Sequence, residues 1–138
     1  MNVKIQNSNG KSGNIIDKSK LTPDQYNICF LKGTEMPFSG KYTNNHEPGM
    51  YACVVCGNIL FSSGAKFDSA TGWPSFEKPV VNEHITYADD YSLGFRRIEV
   101  MCKNCGSHLG HVFDDGPTET GKRFCINSLA LDFTPEKR

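Results

Sequence analysis

The sequence predicts a mainly β fold with a short helical start. Three observations carry that prediction: one capped segment of helical length near residue 21, period-two alternation through most of the chain beyond it, and two copies of a cysteine turn able to pin hairpins together. The chain has 138 residues, with 15 basic and 15 acidic side chains. That length suits one domain with a core of its own. The even charge leaves no electrostatic footprint for nucleic acid or an anionic membrane surface. No apolar run approaches the roughly 20 residues that a membrane span needs.

Residues 1–20 are polar, rich in Asn, Ser, Gly and Lys, and are expected to form a loosely ordered arm. Ile15 and Ile16 are available to tack part of it onto the body. The arm has neither the continuous apolar stretch of a secretory signal nor the arginines of a transit peptide. The expected location is therefore the cytoplasm, where thiols stay reduced unless they bind metal or do chemistry.

The domain proper is expected over residues 21–138 and opens with LTPDQYNICFLKG. Thr22 suits an N-cap, Pro23 the first helical position, and Gln25 completes a capping box. Leu21 and Tyr26 have the spacing of a hydrophobic staple, and Gly33 is the expected stop. Beyond it, MYACVV, NILFS, VVNEHITYA, LGFRRIEVMC, HLGHVFD and KRFCINSLALDF read as strands, broken by Gly, Pro, Asn and Asp clusters. In RRIEVMC, Ile98, Val100 and Cys102 share one face and Arg97, Glu99 and Met101 the other. That is the pattern of an antiparallel sheet with one face in water. KRFCINSLALDF reads as one strand, with Arg123, Cys125 and Asn127 on a common face followed by Leu129, Leu131 and Phe133.

Four of the six cysteines form two copies of C-x-x-C-G, Cys53 with Cys56 and Cys102 with Cys105. Two intervening residues let one tight turn deliver two sulfurs to the same ion, and the glycine permits the left-handed backbone such a turn needs. Two matched knuckles make a closed, tetrahedral, structural zinc site across two hairpins. A redox C-x-x-C pair normally occurs once, at a helix N-terminus in a βαβ context, and neither condition holds here. With all four ligands from protein, no position stays open for substrate.

Cys29 and Cys125 remain. A free cysteine is most often a small buried hydrophobe, and that reading of Cys125 stands beside a reactive one. Arg123 on the same face would favour the thiolate, and Asn127 offers a hydrogen-bond donor. SHLGHVFDDG adds His108 and His111. Three residues apart in a regular strand, they would face opposite ways, so convergence needs a bulge or turn at Gly110. A second metal site would need further ligands; Asp114 and Asp115 are at hand, but DDGP reads as a turn. In FDSATGWPSF, Pro74 pushes Trp73 into extended backbone. The indole is either a core anchor or the wall of a pocket for a small apolar group.

Taken together, LTPDQY, PFSGKY, CGNILF, KFDSATGWPSF, CGSHLGHVFDDGP and RFCINSLAL resemble the B-type methionine sulfoxide reductases, across about residues 21 to 133. The resemblance implies a small zinc-containing β domain of two antiparallel sheets. It implies thiol-dependent reduction of methionine-R-sulfoxide, peptide-bound or free. By the same resemblance Cys125 is the nucleophile, His108 and His111 bind and protonate the sulfoxide oxygen, Asn127 places the substrate, and Trp73 packs on its methyl group, with Arg123 beside them. The chemistry agrees: a sulfoxide oxygen needs a positioned acid, and soft sulfur suits a thiolate. The cysteine is left as a sulfenic acid, which a second thiol condenses to a disulfide. Many family members carry that second thiol where this chain has Ala70-Thr71, and Thr71 forms no disulfide. Cys29 is the thiol left over and is expected to resolve the sulfenic acid, with thioredoxin as the reductant that reopens the disulfide. The rival reading is a zinc-stabilised binding module without catalysis.

Overall fold

The structure is a computed structural model and describes residues 2–4 and 15–136; the rest of the polar arm lies outside the described residues. Within the arm, β1 (Asn2–Lys4) pairs antiparallel with β2 (Ile15–Asp17) as a two-stranded ribbon, and a 3-10 turn spans Lys18–Lys20.

Helix α1 runs Pro23–Leu31 and starts as its sequence dictates. The Thr22 hydroxyl accepts from the Gln25 amide at 3.1 Å, and the Gln25 side chain accepts from the Thr22 amide at 2.9 Å. Its end differs in detail. Lys32, not Gly33, takes the left-handed conformation (φ 59°), while the Gly33 amide donates to the Asn27 carbonyl at 3.0 Å. A Cβ on Gly33 would meet the Asn27 side chain at 2.4 Å, so the glycine serves close approach.

The strands beyond the helix are β3 (Gly49–Cys53), β4 (Ile59–Ser62), β5 (Lys66–Phe67), β6 (Ser75–Phe76), β7 (Ile85–Asp90), β8 (Arg97–Cys102), β9 (His108–Phe113), β10 (Arg123–Ile126) and β11 (Leu131–Pro135). They make two antiparallel sheets: six strands in the order β5-β6-β10-β9-β8-β7, and three in the order β11-β3-β4. Among the described residues the fold is mainly β with one short α-helix, as expected. Between the sheets lies an aromatic core in which Phe61 stacks on Phe76 at 4.4 Å and Tyr51 meets Phe76 edge-on. Rings in such arrangements add to their area burial.

Two strand expectations are corrected. KRFCINSLALDF is not one strand: β10 ends at Ile126, a 3-10 turn occupies Ser128–Ala130, and β11 crosses to the other sheet. The cause is a buried carboxylate. Glu35, 6% exposed, accepts from the Ser128 and Leu129 amides at 2.9 and 3.0 Å, drawing them out of any ladder. The second correction concerns β8. Its polar face is not in water, since Glu99 is only 3% exposed and Arg97 lines a cavity.

Candidate active site and metal centre

The ladder of the six-stranded sheet sets the site. Cys125 pairs with His111, and His111 pairs with Glu99; in the adjacent row Arg123 pairs with Phe113. His108 reaches this same face through a bulge. The β8–β9 register slips so that Val100 pairs with Gly110 but Met101 pairs with His108, leaving Leu109 as the extra residue. A bulge reverses the alternation beyond it, and the two imidazoles stand with centroids 5.5 Å apart. Gly110 is required at this point. A Cβ there would lie 2.0 Å from the Cys125 carbonyl oxygen.

A cavity of about 210 Å³ opens over this face. Cys125, His111, Asn127, Trp73, Arg123 and Thr71 are among its walls. His108 is close by but does not line it. That ring is 4% exposed, and its Nε2 is buried without a hydrogen-bond partner. Cys29 is not brought to the cavity either. It lies on α1, 2% exposed, where burial and then the charge of Cys102 push its thiol up to about 12.

Each polar group of the site is held by a partner from elsewhere in the chain. His111 Nε2 donates to Asp90 Oδ2 at 2.7 Å, and Arg97 donates to the same oxygen at 3.2 Å. His108 Nδ1 is 2.8 Å from Glu99 Oε2, and Lys32 contacts the other Glu99 oxygen at 3.4 Å. A carboxylate only accepts, so each ring nitrogen facing one carries the proton. Asp90 sits well below the usual carboxylate range, chiefly through its bonds from Ser92 and then from His111. Burial lowers His111 despite the bond to Asp90.

Asn127 is 3% exposed and satisfied on both sides, accepting from the Glu35 amide and donating to the Leu109 carbonyl, each at 3.0 Å. The Glu35 carbonyl in turn accepts from Trp73 Nε1 at 3.0 Å. One residue, Glu35, thus fastens the amide, the indole and the turn after β10. Burial pushes its own carboxyl up, against the bonds from Leu129 and Ser128. The sequence reading missed Glu35, Asp90 and Glu99. Nothing local marks them, because the site groups they hold lie on other elements of the fold.

Arg123 is divided between duties. It pairs with Asp115 through two nitrogens at 2.9 and 3.1 Å and covers the Phe113 ring at 4.6 Å. Burial pushes the Cys125 thiol up to about 11; the charge and hydrogen bond of Arg123 only partly oppose it. Arg123 thus favours the thiolate, as its place on the same face suggested, but burial outweighs it.

Among the described residues Cys53, Cys56, Cys102 and Cys105 form one cluster suited to a metal ion, with all four sulfurs within 4.8 Å of one another. Cys53 and Cys105, and likewise Cys56 and Cys102, are 3.7 Å apart. A tetrahedron with metal–sulfur bonds near 2.3 Å has edges of about 3.8 Å, so the donor set fits zinc. The first knuckle joins β3 to β4 and the second joins β8 to β9. Each closes with a 2.8 Å bond from the glycine amide to the first cysteine's carbonyl, at φ 81° for Gly57 and 77° for Gly106. Ser107 Oγ lies 3.4 Å from both Cys53 and Cys105 sulfurs and ties the knuckles together.

A family model, the SelR domain, matches residues 21–135. The chain belongs to the SelR family. Among its SelR relatives is a "Peptide methionine sulfoxide reductase MsrB" of Methanosarcina mazei, 54% identical over 87% of this chain and 86% of that protein. A protein of the same name from Pseudomonas fluorescens is 53% identical over 86% of this chain and 91% of its own. The mouse "Methionine-R-sulfoxide reductase B3, mitochondrial" is 54% identical, but the chain spans only 47% of its length. The solved Mis18 "Yippee-like" domain shares the fold alone, with TM-score 0.51 and 17% identity over 67% of this SelR chain and all of that one. Among the described residues no helix is long and apolar enough to cross a membrane.

Proposed function

We propose that residues 21–138 reduce the R epimer of peptide-bound methionine sulfoxide, with Cys125 as nucleophile. The observation that carries this is one row of the sheet, Cys125 beside His111 in the wall of a cavity closed by Trp73 and Asn127, in a chain of the SelR family. The Cys125 sulfur attacks the sulfoxide sulfur. The histidines bind and protonate the oxygen, which is transferred to Cys125 as methionine leaves, so the cysteine gains the oxidation the substrate loses. His111 holds one proton on Asp90, leaving Nδ1 to carry the proton in transit. His108, clamped by Glu99, supplies the second imidazole from just behind the wall. Trp73, fixed through Glu35, packs on the methyl group, and Asn127 orients the oxygen.

A thiol then attacks the sulfenic acid, releasing water and leaving a disulfide. Thr71 in the wall cannot do this, and Cys29, buried on α1 and outside the cavity lining, does so only if its thiol becomes accessible to Cys125. Burial of Cys29 favours direct attack by an external thiol, with thioredoxin the fitting reductant in a cytoplasmic setting. The four-cysteine cluster holds one structural zinc ion and takes no part in the step.

The test is a single-turnover thiol count on reduced protein given the R or the S epimer, with mapping of any disulfide. One thiol lost with R alone, trapped as a sulfenic acid at Cys125, is the expected result. Two lost as Cys29–Cys125 would restore Cys29 as the resolving residue. No loss with either epimer would leave a zinc-bound β binding module.

A further inference from the structure

Six large apolar side chains stand out from the described surface. Leu31, Met36, Phe38, Tyr91, Leu93 and Phe95 are each 59–73% exposed, whereas the other exposed large apolars lie between 36% and 49%. All six fall on two short segments, residues 31–38 and 91–95. Both segments are rooted in the cavity. Thr34 of the first lines it; the second is the β7–β8 turn, whose base holds Arg97 in the cavity wall and Asp90 against His111. Concentrated exposed apolar surface marks interaction sites in soluble proteins.

The first segment is also held rigidly in this exposed state. Phe38 adopts φ 65°, a left-handed conformation costly for an aromatic residue, and its amide donates to the Gly72 carbonyl at 2.7 Å. Gly72 has φ 102°, and a Cβ there would meet Pro37 at 2.6 Å. The loop is thus riveted to the turn that carries Trp73, with Phe38 bonded to Gly72, which lies between the cavity-lining Thr71 and Trp73. The second segment presents little free charge of its own. Arg96 pairs with Asp89, and Arg97 with Asp90.

A cavity of about 210 Å³ is smaller than the roughly 300–1,000 Å³ of drug-sized ligand sites and takes a single side chain. The residues on either side of an oxidised methionine must then lie on the rim. We propose that these two segments form an apolar cradle for the polypeptide flanking the methionine sulfoxide, so that the chain selects oxidised methionines embedded in extended, apolar sequence. This inference rests on the reductase reading above.

The test compares three substrates on the full, metal-retaining chain: a blocked single methionine-R-sulfoxide, a pentapeptide with it flanked by Leu and Val, and the same pentapeptide with Ser and Asp flanks. The apolar peptide is expected to show about tenfold higher kcat/KM than the polar one, chiefly through KM, the scale of one or two buried side chains. Two separate variants, Phe38→Asn, which tolerates the left-handed backbone, and Leu93→Ser, should each remove several-fold of that preference. Both should leave the blocked residue within about twofold of wild type, since the lost contacts lie outside the cavity. Equal kcat/KM for the two peptides would overturn the proposal, as would an equal loss on all three substrates. A rise only in KM for the dithiol reductant would overturn it in favour of a reductant-docking surface. Failure of the unaltered chain to reduce even the blocked residue would instead overturn the reductase reading beneath it.

Discussion

Cys125, the proposed nucleophile, is kept in reserve. Its thiol, pushed up to about 11 by burial, is almost wholly protonated near neutral pH, and the cation beside it is tied to Asp115. Since only the thiolate reacts, alkylation of Cys125 by iodoacetamide should still be accelerating above pH 9 in wild type. Arg123→Ala removes a charge that favours the thiolate, so the thiol should rise further and alkylation at pH 8 should slow several-fold. Mass spectrometry of the Cys125 peptide across pH measures both; a half-point near 8.5 in either protein would refute the account. Asn127 shows the opposite economy, its oxygen committed to the Glu35 amide and one N–H to the Leu109 carbonyl. Asn127→Ala strands the buried Glu35 amide, at about 1–3 kcal/mol for an unsatisfied group, a loss that thermal melting detects.

The bulge in β9 is the element on which the site turns. The pattern H-x-x-H with a glycine between already implied it, because two histidines three apart share a strand face only if the alternation slips. What the pattern left open was which residue is squeezed out, and Leu109 takes that place. Gly110→Ala would drive a Cβ into the Cys125 carbonyl oxygen. The expected result is loss of the β9–β10 ladder, with a fall in stability at or above the usual ~1–3 kcal/mol of overpacking and no measurable reductase turnover. A variant that melts and turns over like wild type would show that the two strands are not locked at this point. The turn after β10 was less legible. Alternation runs smoothly from Arg123 to Phe133, and nothing in those residues announces that a carboxylate some ninety positions earlier will claim two of their amides.

Taken whole, the described molecule is two sheets meeting at one four-cysteine cluster, with β3–β4 contributing one knuckle and β8–β9 the other. The two knuckles belong to different sheets, so a zinc ion held there would join the halves of the core rather than brace a single hairpin. Removing it with a thiol-directed mercurial should release one zinc per chain and abolish cooperative melting, since structural zinc contributes about 10–16 kcal/mol in small zinc domains. Retention of a sharp transition after zinc release would show that the aromatic core suffices alone. The residues alone settled everything whose cause is local: the capping box of α1, the two cysteine knuckles, the alternation of the main strands, and which two cysteines stand apart from the knuckles. Spacing along the chain is enough for these, because the interacting atoms are only a few residues from one another. Folding in three dimensions settled which groups control the site. Asp90, Glu99 and Glu35 reach His111, His108 and Asn127 across 9 to 92 positions of sequence, and Cys29 ends up in the core. The pairings of Asp90 and Glu99 with the histidines depend on strand register, and a shift of one residue would turn those side chains to the opposite face, while the loop and helix carrying Glu35 and Cys29 are placed by packing.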